Sequence, residues 1–307
     1  MLMDQADKLR RIVQNEKADQ QEKLQKAEQQ AAIERGENSP KMPLVYSILS
    51  GKGGVGKTSI AVNLGISLSQ QGKKVLILDA DIGMSNSDIL LGAYVKYDIF
   101  DALEQEVDFR QIIVKTRYGV DLISGGADFF KLEGLTKEKQ DRVLEELGFL
   151  EEYDVLIVDN GAGISRQSIA FTIIGDEILL VTTPEPTAIT DAYRVLKIIS
   201  LYELKKNVKV IVNQSQNEES GKKAFEKLSK TASQFLKIEL EFIGEIFNDI
   251  RVNKAVMEEI PLVINYPSSL AGKGIHGIAH KLLYEREMED KPATFRKLGN
   301  KILRIFG

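Results

Sequence analysis

Eight residues, Gly51-Lys52-Gly53-Gly54-Val55-Gly56-Lys57-Thr58, constrain this chain more than any other stretch. They fit the pattern G-x-x-x-x-G-K-[ST], in which backbone N–H groups wrap a polyphosphate and the last lysine reaches its outer oxygens. Gly53, Gly54 and Gly56 leave no Cβ between that backbone and the anion. Ahead of the loop, Val45-Tyr46-Ser47-Ile48-Leu49 reads as a buried strand; behind it, Ser59 to Leu68 reads as a helix closed by Gly72. Strand, loop and helix N-terminus, in that order, are what an anion site requires. The competing reading is a glycine-rich turn that matches by accident. An ordinary loop of this kind has no need of a second lysine, so Lys52 is the residue that narrows the type.

The bulk of the chain sets the limits. Its 307 residues can bury one large core or two modest ones, and 43% hydrophobic with 28% charged residues is the make-up of a globular protein. A net charge of −4 offers nucleic acid no general attraction, so no specific nucleic-acid partner is expected. Without cysteine there are no disulfides, thiolate metal sites or cysteine-bound iron–sulfur clusters. The start, Met1-Leu2-Met3-Asp4-Gln5, lacks the basic and apolar regions of a signal peptide, and no apolar run approaches the roughly 18 residues of a spanning helix. The expectation is a cytoplasmic protein whose membrane contact, on the inner face, is peripheral.

Three parts separate by composition. Residues 1–40 are polar, and Leu9, Ile12 and Val13 supply one short apolar face; such an arm is marginal as a free helix. Residues 41–287 alternate short β-branched runs with helical stretches such as Lys137–Leu147 and Thr190–Leu204. The strand candidates are Leu44–Leu49, Val75–Asp79, Val120–Ile123, Val155–Asp159, Glu177–Thr182, Val208–Asn213 and Phe242–Ile246. Several are apolar throughout, as parallel strands covered on both faces are. The fold expected is α/β: a single doubly wound, mostly parallel sheet with helices on both faces and ligands at the carboxyl ends of its strands. Residues 288–307 change character, with no acidic residue after Asp290 and five basic ones.

Around the loop, Lys57 is placed to bridge β- and γ-phosphate oxygens and Thr58 to put its hydroxyl on Mg²⁺. Asp79 and Asp81 end the second strand and, two apart, share a face toward one phosphate–metal centre; the alternative is a pair of solvated turn aspartates. Asp159 ends an apolar strand where it can hold the metal through water. The turn Gly161-Ala162-Gly163 after it has the flexibility to sense a γ-phosphate.

Taken together, Lys52 with Lys57, the Asp79–Asp81 pair and the Asp159 to Gly163 turn resemble the deviant-Walker ATPases of the MinD/ParA group, over roughly Met42 to Tyr284. The resemblance implies ATP/ADP and Mg²⁺ as cofactors, with Gly51, Lys52, Gly53, Gly54, Val55, Gly56, Lys57, Thr58 and Ser59 on the nucleotide. It implies an ATP-bound homodimer in which Lys52 reaches the partner's ATP, so that hydrolysis is slow and tied to assembly. Asp81 takes the role of positioning the nucleophile, Asp79 and Asp159 stand on the metal side with Thr58, and Asn213 and Asp249 fall at the adenine. Asn160, Gly161 and Gly163 form the switch turn, where the family usually carries a proline and this chain has Asn160-Gly161. A second family proline is replaced by Phe247, which loosens the assignment of Asn248 and Asp249.

The two ends point to a branch. Phe295, Leu298, Ile302, Leu303, Ile305 and Phe306 make an apolar helical face bordered by Arg296, Lys297, Lys301 and Arg304, the composition of a helix lying on anionic lipid; a terminal helix docked on its own domain is the alternative. The run Asp4-Gln5-Ala6-Asp7-Lys8-Leu9-Arg10 resembles the D-Q-A-x-x-L-R signature opening FlhG proteins, MinD-like regulators of bacterial flagellar number and placement. That likeness implies that the arm stimulates the signal-recognition-type GTPase FlhF. Gln5 would lie nearest the partner's site, with Asp4, Leu9 and Arg10 in the same motif and a flagellar basal-body protein as further partner. A division-site MinD, a DNA-partitioning ParA and a metabolic P-loop ligase are the other readings. His276 and His280, four apart, have metal-ligand spacing without a carboxylate or cysteine nearby in sequence.

Overall fold

The computed structural model describes residues 42–81, 86–104, 107–125 and 147–289. Its centre is an eight-stranded sheet in the order β3-β4-β2-β5-β1-β6-β7-β8. The strands are β1 (Leu44–Ser50), β2 (Val75–Ala80), β3 (Val114–Lys115), β4 (Val120–Ser124), β5 (Val155–Asn160), β6 (Glu177–Thr182), β7 (Asn207–Ser215) and β8 (Glu239–Phe247). All neighbours pair in parallel except β3, which lies antiparallel on β4 at one edge.

Both faces of the sheet are apolar because the central strands are apolar at most positions, with Asp79, Asp159 and Asn160 confined to their carboxyl ends. On β5, Val155 and Ile157 join one core with Ile60 and Leu64, while Leu156 and Val158 join another with Phe109 and Phe149. A third core sits under β6 and β7, around Leu180, Val210, Leu196 and Leu228. The helices that cover them are α1 (Lys57–Gln70), α2 (Ser87–Leu91), α3 (Ile99–Glu104), α4 (Arg166–Ile174), α5 (Pro186–Leu201), α6 (Glu218–Phe235), α7 (Ile250–Met257), α8 (Leu262–Asn265) and α9 (Leu270–Glu289).

The seven strands expected from sequence are present; β3, two residues long, is too short for any periodicity to announce. Helix α5 begins four residues before Thr190, because Glu185 is extended and Pro186 takes the first helical position, where its missing N–H costs nothing. The proposed helix over Lys137–Leu147 falls almost wholly outside the described residues, and Leu147 opens a 3-10 turn to Glu152. The calls on residues 1–40 and 290–307 also lie outside them, including Asp4, Gln5, Leu9 and Arg10 and the stripe Phe295, Leu298, Ile302, Leu303, Ile305 and Phe306.

Helix α9 packs on both β8 and α1. The Lys281 ammonium donates to the Phe242 carbonyl at 2.7 Å, and His276 Nδ1 lies 2.6 Å from the buried Ser67 hydroxyl on α1. His276 therefore joins two helices. Among the described residues no group of three His, Cys, Asp or Glu side chains could hold a metal ion. Farther up α1, the Asn63 amide oxygen accepts from Val263 N (3.0 Å) and so caps α8.

Candidate functional site

The phosphate loop is built by close approach. At Gly51 a Cβ would stand 2.2 Å from the carbonyl carbon and oxygen of Asp191, so only glycine lets the loop touch the backbone of α5. Gly54 (φ 77) and Gly56 (φ 91) are left-handed, a region that glycine enters without steric cost. Gly56 is the N-cap of α1 and supplies no side-chain cap, and the first turn of α1 holds no acidic residue. The positive end of that helix is left for an external anion. Lys57, only 6% exposed, sits inside, its ammonium 3.6 Å from Asp159 Oδ1.

Register brings the carboxylates together. Asp79 on β2 is paired directly with Asp159 on β5, which is also paired with Ile48 on β1. Asp159 is fully buried; Lys57 stands at ion-pair distance from its Oδ1 and the Thr58 hydroxyl favours its charged form, but neither oxygen receives a hydrogen bond of ordinary geometry among the described residues. Burial pushes its pKa up to about 6 against the pull of the Lys57 ammonium, with Asp79 adding to the rise. A buried carboxylate beside the Thr58 hydroxyl, with no full hydrogen bond to either oxygen among the described residues, suits a divalent cation, whose remaining ligands would come from phosphate and water.

Asp79 is employed differently. Its Oδ1 accepts from Asp81 N (3.1 Å) and its Oδ2 from Asn86 N (3.2 Å) and Ser87 N (3.0 Å). It therefore clamps both flanks of the loop that carries Asp81. The carboxyl of Asp81, half-buried, is raised by desolvation, with Lys57 opposing and Asp79 adding.

Lys52 does not join this group in the single chain. Its ammonium donates to Glu185 (2.8 Å) and to Thr187 Oγ1 (3.3 Å), at the start of α5. Sequence reading missed both partners, since 133 residues separate Lys52 from Glu185 and no spacing could betray the pair. On the β7 side, Asn213 Nδ2 donates to the Val55 carbonyl (2.7 Å) and Gln214 Nε2 to Gly54 (3.3 Å). Gln214, also missed, adopts a left-handed φ of 58 to do so. Asp249 caps α7 by accepting from Arg251 N at 3.0 Å. Ser59 lends its carbonyl to Asn63 (2.7 Å).

The switch turn is fastened at both ends. Asn160, 1% exposed, is still part of β5, and its Nδ2 donates to Ser47 Oγ (3.1 Å), Ile48 O (2.9 Å) and Val158 O (3.3 Å). Gly163, at φ 82, donates its N–H to Ser50 O at 3.0 Å.

A glycine cradle at a helix start, a buried lysine and paired buried carboxylates make a nucleotide site, and the CobQ/CobB/MinD/ParA nucleotide binding domain matches residues 46–262. The chain belongs to the MinD/ParA family. Its activity is that of the family's ATPases. Among relatives, the antiactivator FleN of Pseudomonas aeruginosa is 32% identical over 239 residues, 78% of this chain and 85% of FleN. The flagellum site-determining protein YlxH of Helicobacter pylori is 36% identical over 243 residues, 78% of this chain and 82% of YlxH. Among solved structures, the MinD cell division protein of Aquifex aeolicus superimposes with a TM-score of 0.62 at 31% identity, covering 82% of this chain and 99% of that one.

Proposed function

We propose that this MinD/ParA ATPase is an FlhG-type switch controlling the number and placement of flagella. The observation carrying the switch is the division of labour between its two loop lysines: Lys57 is buried against Asp159, while Lys52 is held on the outside by Glu185 and Thr187. A lysine held outside its own site is free to serve a second copy. In an ATP-bound homodimer Lys52 reaches the partner's γ-phosphate, where a cation in a water-excluded interface stabilises the developing charge. Thr58 and Asp159 would hold Mg²⁺, which would supply positive charge to the phosphates, while Asp79 fixes the backbone N–H of Asp81. Asp81 orients the attacking water, and Asn213 with Asp249 flanks the base. Hydrolysis is slow because it waits for assembly.

The flagellar assignment draws on the names of FleN and YlxH and on the Asp4-Gln5 to Leu9-Arg10 motif. In this reading the motif stimulates an FlhF-type GTPase, and residues 288–307 bind anionic lipid on the inner face of the cell membrane, two tails per dimer acting with avidity. The similarity to MinD favours a division-site role as second reading. Measuring GTP hydrolysis by FlhF with a peptide of residues 1–23, and with the full chain lacking residues 1–35, separates the two. Stimulation by the peptide and its loss on deletion are expected. A GTPase indifferent to both would remove the flagellar reading and leave the division-site one.

A further inference from the structure

Between its two fastenings the switch turn runs through residues 161 and 162, and Gly161 faces the carboxylate of Asp81. A Cβ at position 161 would stand 3.0 Å from Asp81 Oδ1 and 3.6 Å from its Cγ. Normal carbon–oxygen contacts are longer by several tenths of an ångström, so something would have to give. The turn has little freedom to do so, because Asn160 is bound at three acceptors before it and Gly163 is bound to Ser50 after it. The backbone of Asp81 is fixed in turn through its N–H to Asp79. Only the Asp81 side chain is left to move.

We propose that Asn160 and Gly161 act as positioning residues for hydrolysis: Asn160 anchors the turn, and Gly161 leaves the space in which the Asp81 carboxylate rests. This rests on the reading that Asp81 orients the attacking water. The absent Cβ thus sets where the carboxylate can stand, and an anchored strand end takes over the stiffening that a proline would give. Gly161 is not in the left-handed region, so alanine there brings no backbone strain, and any effect comes from the added methyl group.

The test uses full-length protein with Gly161→Ala, Gly161→Val, Asp81→Ala and the Gly161→Ala/Asp81→Ala double variant. A shift of a few tenths of an ångström should lower kcat roughly 3- to 10-fold in Gly161→Ala, given that about 1 Å costs on the order of a hundredfold. ATP affinity and ATP-dependent dimerisation should match wild type, and Gly161→Val should be slower still. In the Asp81→Ala background, adding Gly161→Ala should change neither the residual rate nor the melting temperature, because its collision partner is gone. An unchanged kcat in Gly161→Ala, or an equal loss of stability with and without the Asp81 side chain, overturns the inference. If Asp81→Ala itself hydrolyses ATP normally, the role of Asp81 fails first.

Discussion

Replacing Glu185 with glutamine should tighten the ATP-dependent dimer. In the single chain the Lys52 ammonium is 2.8 Å from the Glu185 carboxylate and 3.3 Å from Thr187 Oγ1, and in the proposed dimer it must leave both to serve a partner's phosphate. The two side chains are 41% and 60% exposed. A pair this wet is worth about 0–1 kcal/mol net, far below the bare Coulomb attraction. A dimer gives up two such pairs, so the most that their removal can add is about 2 kcal/mol, or roughly thirtyfold in the dissociation constant. Glutamine still accepts a hydrogen bond from Lys52, which reduces the expected gain to about 3- to 10-fold. Sedimentation equilibrium in magnesium and ATP, on Asp81→Ala protein with and without Glu185→Gln, measures it without turnover. High salt should narrow the difference by screening the pair in the reference protein. A dimer weakened tenfold by Glu185→Gln would refute the reasoning, because it would show that Glu185 holds Lys52 in its assembled position.

Three further outcomes are expected. Gly51→Ala forces a methyl group into the Asp191 carbonyl, so a chemical-denaturation midpoint should report a loss of about 3 kcal/mol or more; a loss below about 0.5 kcal/mol would mean the contact yields easily. Gln214→Gly removes a left-handed glutamine and its bond to Gly54, so the melting temperature should hold or rise while ATP binding by calorimetry weakens about 2- to 5-fold; full ATP affinity would show that the bond is idle. Burial holds His276 below the ordinary histidine range, so the unfolded chain takes up the proton first. The His276 contribution to stability should be complete above about pH 6.5 and be lost as the pH drops below it, while the raised pKa of Asp159 works in the opposite sense. Thermal melts across that range should show a steeper acid loss for wild type than for His276→Gln, and equal slopes would assign the acid sensitivity elsewhere.

The nucleotide loop was readable from residues alone because its chemistry is local: eight consecutive positions, with a strand before and a helix after. The same holds for β5, whose unbroken apolar run states that both faces are covered. What stayed hidden were the particular hydrogen-bond partners of the site residues. Asp79 reads from sequence as a metal-side carboxylate, and nothing in its spacing tells that its oxygens also receive the backbone amides of Asp81, Asn86 and Ser87. Asn213 is expected at the adenine by resemblance, and its bond to the Val55 carbonyl in the single chain could not be read from that likeness. Lys52 announced itself as an extra cation, but its partner depended on how β6 lies beside β1. Residue identity revealed which groups carry chemistry; strand order decided which of them meet.

The anchoring of Asn160 also bears on how long the molecule lasts. An asparagine followed by glycine is prone to lose its amide, because the glycine nitrogen can close on the side-chain carbon to form a succinimide. That ring closure needs a free amide and a pliable backbone. In the folded chain the amide is bonded at three acceptors and the residue completes a buried strand, so the reaction is blocked where it would do most harm. An unfolded copy has no such protection. Once converted, it would carry a carboxylate at a position that the fold keeps dry, next to the already crowded Asp159. The bond set at the end of β5 thus works as a preservative, and each excursion from the native state exposes the chain to chemical ageing that refolding cannot reverse.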